Sequence, residues 1–588
     1  MPAGGSTLNT VAINPCVPSR SAGAPCGGET HAARTAPPER PDAGLLDRTR
    51  PARPAEATER PHPGAAYAEV ARACAGRWLR LLEATPWLPD ASAVEGSSRT
   101  AAAPTDRHLA ATLGLGLLTQ IDPDQSGNAY LAFRVRAALV GWQLGLGGDG
   151  RPAWARLRPP GATAVEASAL ILLLADAPAY QTPELLGDMA RHLPWLAKRP
   201  PAACWREAAA VQALADGGML LRDGRLFGEA RTRLSRLLQR QNPEGWFPER
   251  GGADLGRLSR TIDALARLYV EYCWDELAEP LNRAVGFLAC FVDPDGNVGG
   301  CYNSRGSVFA NPYGFELLAR DCPAAAALAR IARSRCLHFA ARRLPGWDEE
   351  LAAHLGASHA LAAVHAVTDL PEELPPPSSE PETHFVRAGL SIFRRRSYFA
   401  VVNRRQGGAV TVTWPETGTR LEDAGVTVVA PHAILRPTWA PGTPDSRIAG
   451  TRITVRGALR ATSPRVTRWS RLERWIGRAT RGLRAVLTLG RGRAHPPGRQ
   501  PGVGWWSAPS YHREFTFLDD TVEVRDDIRL PRPCQAVVCQ TAGDWGTGSA
   551  PDLVPHRTPD FVPLIIDGAR HVAIRRTYRG GRLVPRID

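Results

Sequence analysis

Residues 293–316 have the sequence Asp293-Pro-Asp-Gly-Asn-Val-Gly-Gly-Cys-Tyr-Asn-Ser-Arg-Gly-Ser-Val-Phe-Ala-Asn-Pro-Tyr-Gly-Phe-Glu316. Patterns typical of helices flank this stretch, and its glycines let the backbone turn sharply. It concentrates residues that carry chemistry, namely Tyr302, Asn303, Arg305, Asn311, Tyr313 and Glu316. A long polar and aromatic loop on a helical scaffold is typical of a binding or catalytic site, and a glycine-rich turn that satisfies its own backbone is an equal alternative.

A shorter version of this loop occurs earlier, at residues 242–252. Its sequence is Asn242-Pro-Glu-Gly-Trp-Phe-Pro-Glu-Arg-Gly-Gly252, with the same order of an acid or amide, Pro, an acid and Gly, and a later Gly-Gly pair. Each copy is followed by a run of helical periodicity. Recurring pairs of helices with similar loops at one end indicate stacked helical hairpins, and if these close into a ring both loops open on the same rim.

Apolar spacings of three and four residues extend this pattern over the first two thirds of the chain. They predict a helix from Tyr67 and further helices at about 128–146, 162–176, 183–197, 204–221, 225–240, 254–272, 276–292, 313–320, 323–341 and 347–366. Residues 1–64, rich in Pro, Ala, Gly and Arg, favour a disordered leader. We therefore expect residues 65–368 to form an α/α toroid, an incomplete helical barrel.

A proline-rich acidic connector at residues 369–382 marks the clearest domain boundary. After it the apolar period changes from 3.6 to 2, with Phe385–Arg394 expected as one strand. Residues 383–588 are thus expected to form an antiparallel β-sandwich. A basic, tryptophan-containing insertion at about 465–500 is either an amphipathic helix on a membrane or an anionic polymer, or a solvated insertion, which we favour.

Composition limits the function classes. The chain has 72 Lys and Arg against 58 Asp and Glu residues, a net charge of +14 that fits an acidic polymer as ligand. No apolar run is long enough to span a membrane, and Met1 to Ala22 lack the pattern of a secretion signal. With eleven cysteines and no CxxC pair, this favours a cytoplasmic location. The usual phosphate, zinc and nucleophile-elbow motifs are absent, so no cofactor or metal is expected.

The order of parts and four segments resemble the heparinase II/III-like group of polysaccharide lyases. The segments are Gly245–Asp263, Tyr302–Arg305, Asn311–Glu316 and the strand pair Tyr511–Ile528. The resemblance covers about residues 66–588. It implies a helical toroid followed by a β-sandwich, and β-elimination at the uronic acid of an anionic polysaccharide, with no nucleic acid as partner.

Such an elimination needs a group that neutralises the carboxylate, a base for the C5 proton and an acid for the leaving oxygen. Asn303 and Arg305 are the candidates for the first role. Tyr302 or Tyr313 is the candidate base and acid, and His512 is a further candidate from the β domain. The loop has no histidine, and the downstream His338, His354, His359 and His365 are expected to be structural. The remaining substrate-binding candidates are Trp246, Glu249, Asp254, Arg257, Asn311 and Glu316.

Two alternatives stay open. A glycoside hydrolase on the same scaffold could use a carboxylate pair drawn from Glu249, Asp254, Asp263, Asp293, Asp295 and Glu316, although acids at helix starts are commonly caps. A noncatalytic glycan-binding or polysaccharide-assembly protein would keep the fold and the charge without the chemistry. The approach of a candidate tyrosine to an Asn, Arg or His in a cleft would favour catalysis, because a binding protein needs no such arrangement.

Overall fold

A computed structural model describes most of the chain after the leader. The described residues are 62–83, 106–121, 127–157, 161–249, 252–303, 310–341, 349–370, 380–430, 433–437, 445–462, 509–531, 534, 536–540, 569–580 and 582–587. The predicted leader up to residue 61 and the basic insertion at 465–500 lie outside them. None of the described helices has the length and apolar character that crossing a membrane requires.

Helices fill the first part of the described chain. They are α1 Ala65–Glu83, α2 Asp106–Ile121, α3 Asn128–Leu144, α4 Ala162–Asp176, α5 Pro183–Ala197, α6 Cys204–Leu220, α7 Gly224–Leu238, α8 Leu255–Tyr272, α9 Ala278–Ala289, α10 Tyr313–Leu318, α11 Pro323–Ala341 and α12 Glu349–His365. Periodicity predicts all of these but α2. That helix is buried almost all round, with consecutive buried residues from His108 to Leu118, so it has no polar face to reveal its period.

The even-numbered helices follow one another around a closed circuit. Helix α2 packs on α4, α4 on α6, α6 on α8, α8 on α10, α10 on α12, and α12 packs back on α2. Odd-numbered helices lie beside them, as α7 does on α6 and α9 on α8. Long apolar side chains and many alanines fill the space between the helices in one continuous core. The six even-numbered helices therefore surround a common axis.

The rest of the described chain forms two antiparallel sheets. The strands are β1 Glu382–Phe385, β2 Leu390–Arg394, β3 Phe399–Asn403, β4 Ala409–Trp414, β5 Thr419–Asp423, β6 Gly425–Ala430, β7 Ala433–Pro437, β8 Asp445–Ala449, β9 Arg452–Thr462, β10 Ser510–Phe517, β11 Thr521–Arg529, β12 Ala536–Gln540, β13 His571–Arg579 and β14 Arg582–Ile587. Strands β1 to β5 form one sheet in chain order. The other has the order β12-β6-β7-β9-β10-β11-β13-β14, with β8 also paired to β9.

The two sheets share one apolar core. Phe393 on β2 stacks on Phe517 on β10 with ring centroids 3.8 Å apart, which joins the sheets face to face. The single strand expected at Phe385–Arg394 is a hairpin instead, because Gly389 turns the chain at φ +72 between β1 and β2. The predicted class, helices followed by antiparallel sheets, is confirmed.

Residues 293–303, called the interface loop from here on, join the helices to the first sheet. Asp293 accepts a 2.6 Å bond from Arg420 on β5 and a 3.1 Å bond from Thr413 on β4. The Cys301 thiol donates to the Val410 carbonyl oxygen at 3.1 Å. The six even-numbered helices are called the inner helices, and together they form a ring. Because the interface loop leads from α9 towards the inner helix α10, the first sheet lies at the side of the ring where the inner helices begin.

Candidate functional site

A cavity of about 100 Å³ lies on the axis that the six inner helices surround. Each of the six helices contributes residues to its wall, and Asn311, just before α10, contributes as well. Apolar groups such as Leu113, Val165 and Leu361 form part of the lining. The polar and aromatic part consists of Ser168, Trp205, Gln212, Arg260, Asp263, Arg267, Asn311, Tyr313, His354 and Ser358.

Helical spacing explains how residues far apart in sequence reach this cavity. On α8, Arg260, Asp263 and Arg267 are three and four residues apart and therefore share one face. The opposite side of the same helix buries Leu258, Ile262 and Leu265 in the core between the helices. Helix α12 contributes His354, Ala357, Ser358 and Leu361 with the same spacing.

Tyr313 and Arg267 lie at the deeper end of the cavity. The Tyr313 hydroxyl oxygen accepts a 3.0 Å hydrogen bond from the Arg267 guanidinium, which also pairs with Asp216 at 2.8 Å and Asp176 at 3.1 Å. Burial raises the pKa of Tyr313 well above its ordinary value, and the positive charge of Arg267 only partly offsets this. The phenol therefore keeps its proton at neutral pH.

His365 completes this deeper cluster. Its Nε2 lies 3.1 Å from the Asp176 carboxylate, and its ring meets the Tyr313 ring edge-on with centroids 5.3 Å apart. Burial opposes the ionisation of Asp176, but the hydrogen bonds and charges of His365 and Arg267 outweigh it and lower the pKa of Asp176. The sequence analysis predicts a structural role for His365, and the structure places its ring against Tyr313 at this end of the cavity.

Asp263 is a carboxyl group in the wall of the cavity. Its oxygens accept bonds from the Asn311 amide at 2.9 Å, the Gly314 backbone N–H at 2.7 Å and the Ser358 hydroxyl at 2.9 Å. Burial raises the pKa of Asp263 to about 6, because these neutral donors only partly compensate for lost hydration. Gly314 is needed here, since a Cβ at this position would lie 2.9 Å from the backbone nitrogen of Asp263.

His354 brings an imidazole to the wall of the cavity, which the sequence interpretation did not expect. The side chain is 9% exposed, and its Nε2 lies 3.7 Å from the carboxylate of Asp106 at the start of α2. Burial alone would raise the pKa of Asp106, but His354 and the nearby Arg260 and Arg206 hold it well below its ordinary range. The carboxylate thus lies beside one nitrogen of the ring, at a distance longer than a hydrogen bond.

Arginines surround Trp205 at the shallower end. The guanidinium carbon of Arg206 lies 4.9 Å and that of Arg260 lies 5.2 Å from the centre of the Trp205 ring. Both arginines are partly exposed, whereas Arg267 at the deeper end is 5% exposed. The N-terminal ends of α2 and α6 lie on this side as well, and helix N-termini favour anions. This end of the cavity is therefore suited to a negatively charged ligand.

Two predicted catalytic residues lie in the interface loop instead of the cavity wall. The Tyr302 hydroxyl accepts a 3.0 Å bond from the Gly299 backbone, its ring packs against Phe291, and burial raises its pKa far above the ordinary value. The Asn303 side-chain oxygen accepts a 3.1 Å bond from the backbone of Leu255 at the start of α8. Both side chains hold the loop in place.

Three further candidates fix the starts of two inner helices. Glu249 accepts a 2.8 Å bond from the Trp205 backbone N–H and pairs with Arg257 at 3.5 Å. Burial raises the pKa of Glu249 despite these partners. Asp254 caps α8 through a 3.0 Å bond from the Arg257 backbone N–H. These side chains position Trp205 and α8 without lining the cavity.

Other predicted site residues are placed elsewhere. Trp246 is buried and donates to Glu244 at 3.0 Å. Glu316 is a fully buried residue of α10, where its carboxylate accepts bonds from Arg333 and from the Tyr67 hydroxyl. His512 lies on β10 in the second sheet, and Arg305 lies outside the described residues. Of the predicted site residues, the cavity brings together Tyr313 and Asn311.

The comparisons with known proteins give matches among solved structures alone. No family model matches the chain, and no curated protein matches it. A chondroitin AC lyase from Streptomyces coelicolor A3, solved with chondroitin sulphate, has 14% identity over 81% of this chain and 68% of its own, with a TM-score of 0.46.

Two other solved structures belong to the same class. A xanthan lyase from Paenibacillus has 12% identity over 90% of this chain and 58% of its own, with a TM-score of 0.49. Heparinase III has 10% identity over 88% of this chain and 90% of its own, with a TM-score of 0.41. The predicted resemblance to polysaccharide lyases is thus confirmed, and similarities this low transfer neither residues nor a reaction.

Proposed function

We propose that this protein is a polysaccharide lyase that cleaves a uronic-acid-containing glycan by β-elimination, with its site in the cavity of the helical ring. In this proposal the ring is the α/α toroid and the paired sheets are the β-sandwich of heparinase II/III-like enzymes. The observation that carries it is the presence of Tyr313, His354 and Arg260 around one cavity. These side chains are an acid, a base and a cation of the kinds that the reaction needs.

The roles follow from the environment of each group. Arg260, at the shallower and positively charged end, pairs with the uronate carboxylate and makes the adjacent C5 proton more acidic. His354, which lies beside Asp106, accepts that proton on a ring nitrogen. The electron pair left on C5 forms the C4=C5 double bond as the C4–O bond breaks.

Tyr313 then protonates the leaving oxygen. Burial raises the pKa of Tyr313, so its hydroxyl carries a proton at neutral pH and suits the acid better than the base. Arg267 donates to the same hydroxyl oxygen at 3.0 Å and stabilises the phenolate that remains after the transfer. Proton return from His354 through solvent restores the starting state.

The hydrolase alternative has less support from the same cavity. Acid and base catalysis on a glycosidic bond usually needs two carboxyl groups on either side of it. Among the described residues that line the cavity, Asp263 is the single carboxyl group. Its raised pKa of about 6 would suit an acid, but three hydrogen bonds already hold it in the wall.

The test is the ultraviolet absorbance of an unsaturated uronate product during incubation of the full chain with a panel of uronic-acid polysaccharides. We expect Tyr313→Phe and His354→Gln each to lower kcat by about 10²–10⁴-fold, which is typical of removing a general acid or base. Tyr302→Phe is the matched control, because that tyrosine is equally buried and lies outside the cavity wall.

Two results would contradict the proposal. Loss of activity in Tyr302→Phe with full activity in Tyr313→Phe would move the chemistry to the interface loop. A flat absorbance trace with every polymer, together with measurable binding, would favour the noncatalytic glycan-binding role.

A further inference from the structure

We infer that the cavity is a blind well that receives the end of a glycan chain, so that the protein acts from chain ends and not within the polymer. This inference rests on the proposed function, and it concerns which part of the substrate enters the site. It is carried by the size of the cavity, by what closes its deeper end and by where its charges lie.

The size of the cavity fits a single sugar unit. A water-sized group needs about 10–15 Å³ of such space, so a cavity of about 100 Å³ holds roughly seven to ten of them. That is the scale of one sugar unit held between the described walls. An enzyme that binds inside a long chain needs an open groove with two exits.

Buried ion pairs close the deeper end. Arg267 bridges Asp216 and Asp176, and Tyr272 donates to Asp216 at 2.6 Å. His365 holds Asp176 from its other side at 3.1 Å. A chain passing through would have to separate Arg267 from two buried carboxylates, which leaves buried charges without partners and is strongly unfavourable. We therefore treat this cluster as the floor of the well.

The charges place the entrance at the opposite end. Arg206 and Arg260 are partly exposed there, whereas Arg267 and Asp216 on the floor are 5% and 4% exposed. A glycan with a negatively charged unit next to its terminal unit would place its end in the well and its charge between the arginines.

The first experiment follows product size with polymer fractions of narrow length distribution, incubated with the full chain. We expect the single terminal unit to be released from the earliest time point, while the remaining polymer carries the unsaturated uronate at its new end and stays close to its starting length. An early series of intermediate fragments with rising absorbance would overturn the inference and leave the proposed function intact.

The second experiment does not depend on catalysis. The Tyr313→Phe variant is titrated with the same fractions at an ionic strength that screens long-range attraction. Binding at ends predicts a number of proteins per polymer chain that does not change with polymer length. A number that grows in proportion to length would overturn the inference, even where the absorbance assay has shown no reaction.

A substitution that fills the cavity tests whether the end of the glycan enters it. Ala357 lines the cavity on α12 and is 4% exposed, so Ala357→Leu puts a larger side chain into the space of the terminal unit. We expect at least about a tenfold loss of chain-end affinity, the order of one misfitted group in a pocket. Ala324→Leu, on the partly exposed α11, is the control. Unchanged binding by Ala357→Leu would show that the chain end does not enter.

Discussion

The interface loop and the cavity hold the same three residue types in different surroundings. The loop has Tyr302, Asn303 and Asp293, and the cavity wall has Tyr313, Asn311 and Asp263. In the loop, Asp293 pairs with Arg420 at 2.6 Å. In the cavity, Asp263 is bound by an amide, a backbone N–H and a hydroxyl, and its pKa rises to about 6.

The difference shows that residue type alone does not identify a site. The Tyr302 hydroxyl and the Asn303 side-chain oxygen accept hydrogen bonds from the backbone N–H groups of Gly299 and Leu255. These bonds hold the interface loop in place. Tyr313 has an equally buried ring, but it lies beside empty space. What distinguishes the two sets in the structure is the cavity beside the second one.

The largest expected effect on stability comes from breaking the ion network of the interface loop. Arg420→Met leaves the carboxylates of Asp293 and Glu422 buried without their shared cation. We expect the apparent free energy of unfolding to fall by about 3–5 kcal/mol, as is typical when one partner of a buried pair is removed. Urea denaturation of the full chain measures this.

A surface pair provides the control for that measurement. Arg575 pairs with Glu523 at 3.1 Å with side chains 42% and 30% exposed, so Arg575→Met is expected to cost no more than about 1 kcal/mol. Equal effects of the two substitutions would mean that the interface loop is not held by its charges, and the contrast with the cavity would fail.

The next expected effect is a pH dependence of stability that comes from Asp263 in the cavity wall. Its folded-state pKa of about 6 exceeds its ordinary value of 3.8, so the folded protein holds this proton more tightly than the unfolded chain. The resulting stabilisation is complete below pH 3.8 and is lost as the pH rises through about 6. A shift of about two pKa units corresponds to about 3 kcal/mol.

Asp263→Asn removes this titration while keeping an oxygen for the Gly314 N–H. We therefore expect the stability of the variant relative to the parent to rise by about 3 kcal/mol between pH 4 and pH 7, measured by urea denaturation at a series of pH values. A difference that stays constant over this range would show that Asp263 titrates normally, and the contrast with Asp293 would disappear.

The fold class was predictable from the sequence because each half has one clear period. Helix spacing from Tyr67 onward and alternation after the connector at 369–382 give the order of helices and sheets. Helix α2 could not be found in this way, because burial all round removes the polar face on which the pattern depends.

The cavity was harder to predict for a related reason. Arg260, Asp263 and Arg267 form a polar stripe opposite the apolar side of α8, which is also the pattern of a solvent-exposed helix face. His354 on α12 gives no better signal. The interface loop, by contrast, looks like a site because a loop that contacts a sheet through polar groups also concentrates polar and aromatic residues.

The smallest expected effect on stability comes from the earlier copy of the loop, at residues 242–252. Like the interface loop, this segment should bind the first sheet and take no part in the cavity. The Glu244 carboxylate accepts bonds from the backbone N–H groups of Arg387 and Ala388 at 2.7 and 2.8 Å, in the turn between β1 and β2. Glu244→Gln keeps one acceptor oxygen and loses the charge. We therefore expect the free energy of unfolding to fall by about 1 kcal/mol.

Amide hydrogen exchange over residues 386–389 gives a local measurement of the same change. Exchange in this turn should become faster in Glu244→Gln, because one of its two N–H groups loses a charged acceptor. Glu416→Gln, in the exposed turn after β4, is the matched control. Unchanged exchange would mean that the earlier loop does not bind the sheet, and the interface role would then be specific to residues 293–303. Faster exchange would show that this loop, like residues 293–303, contacts the first sheet through a carboxylate.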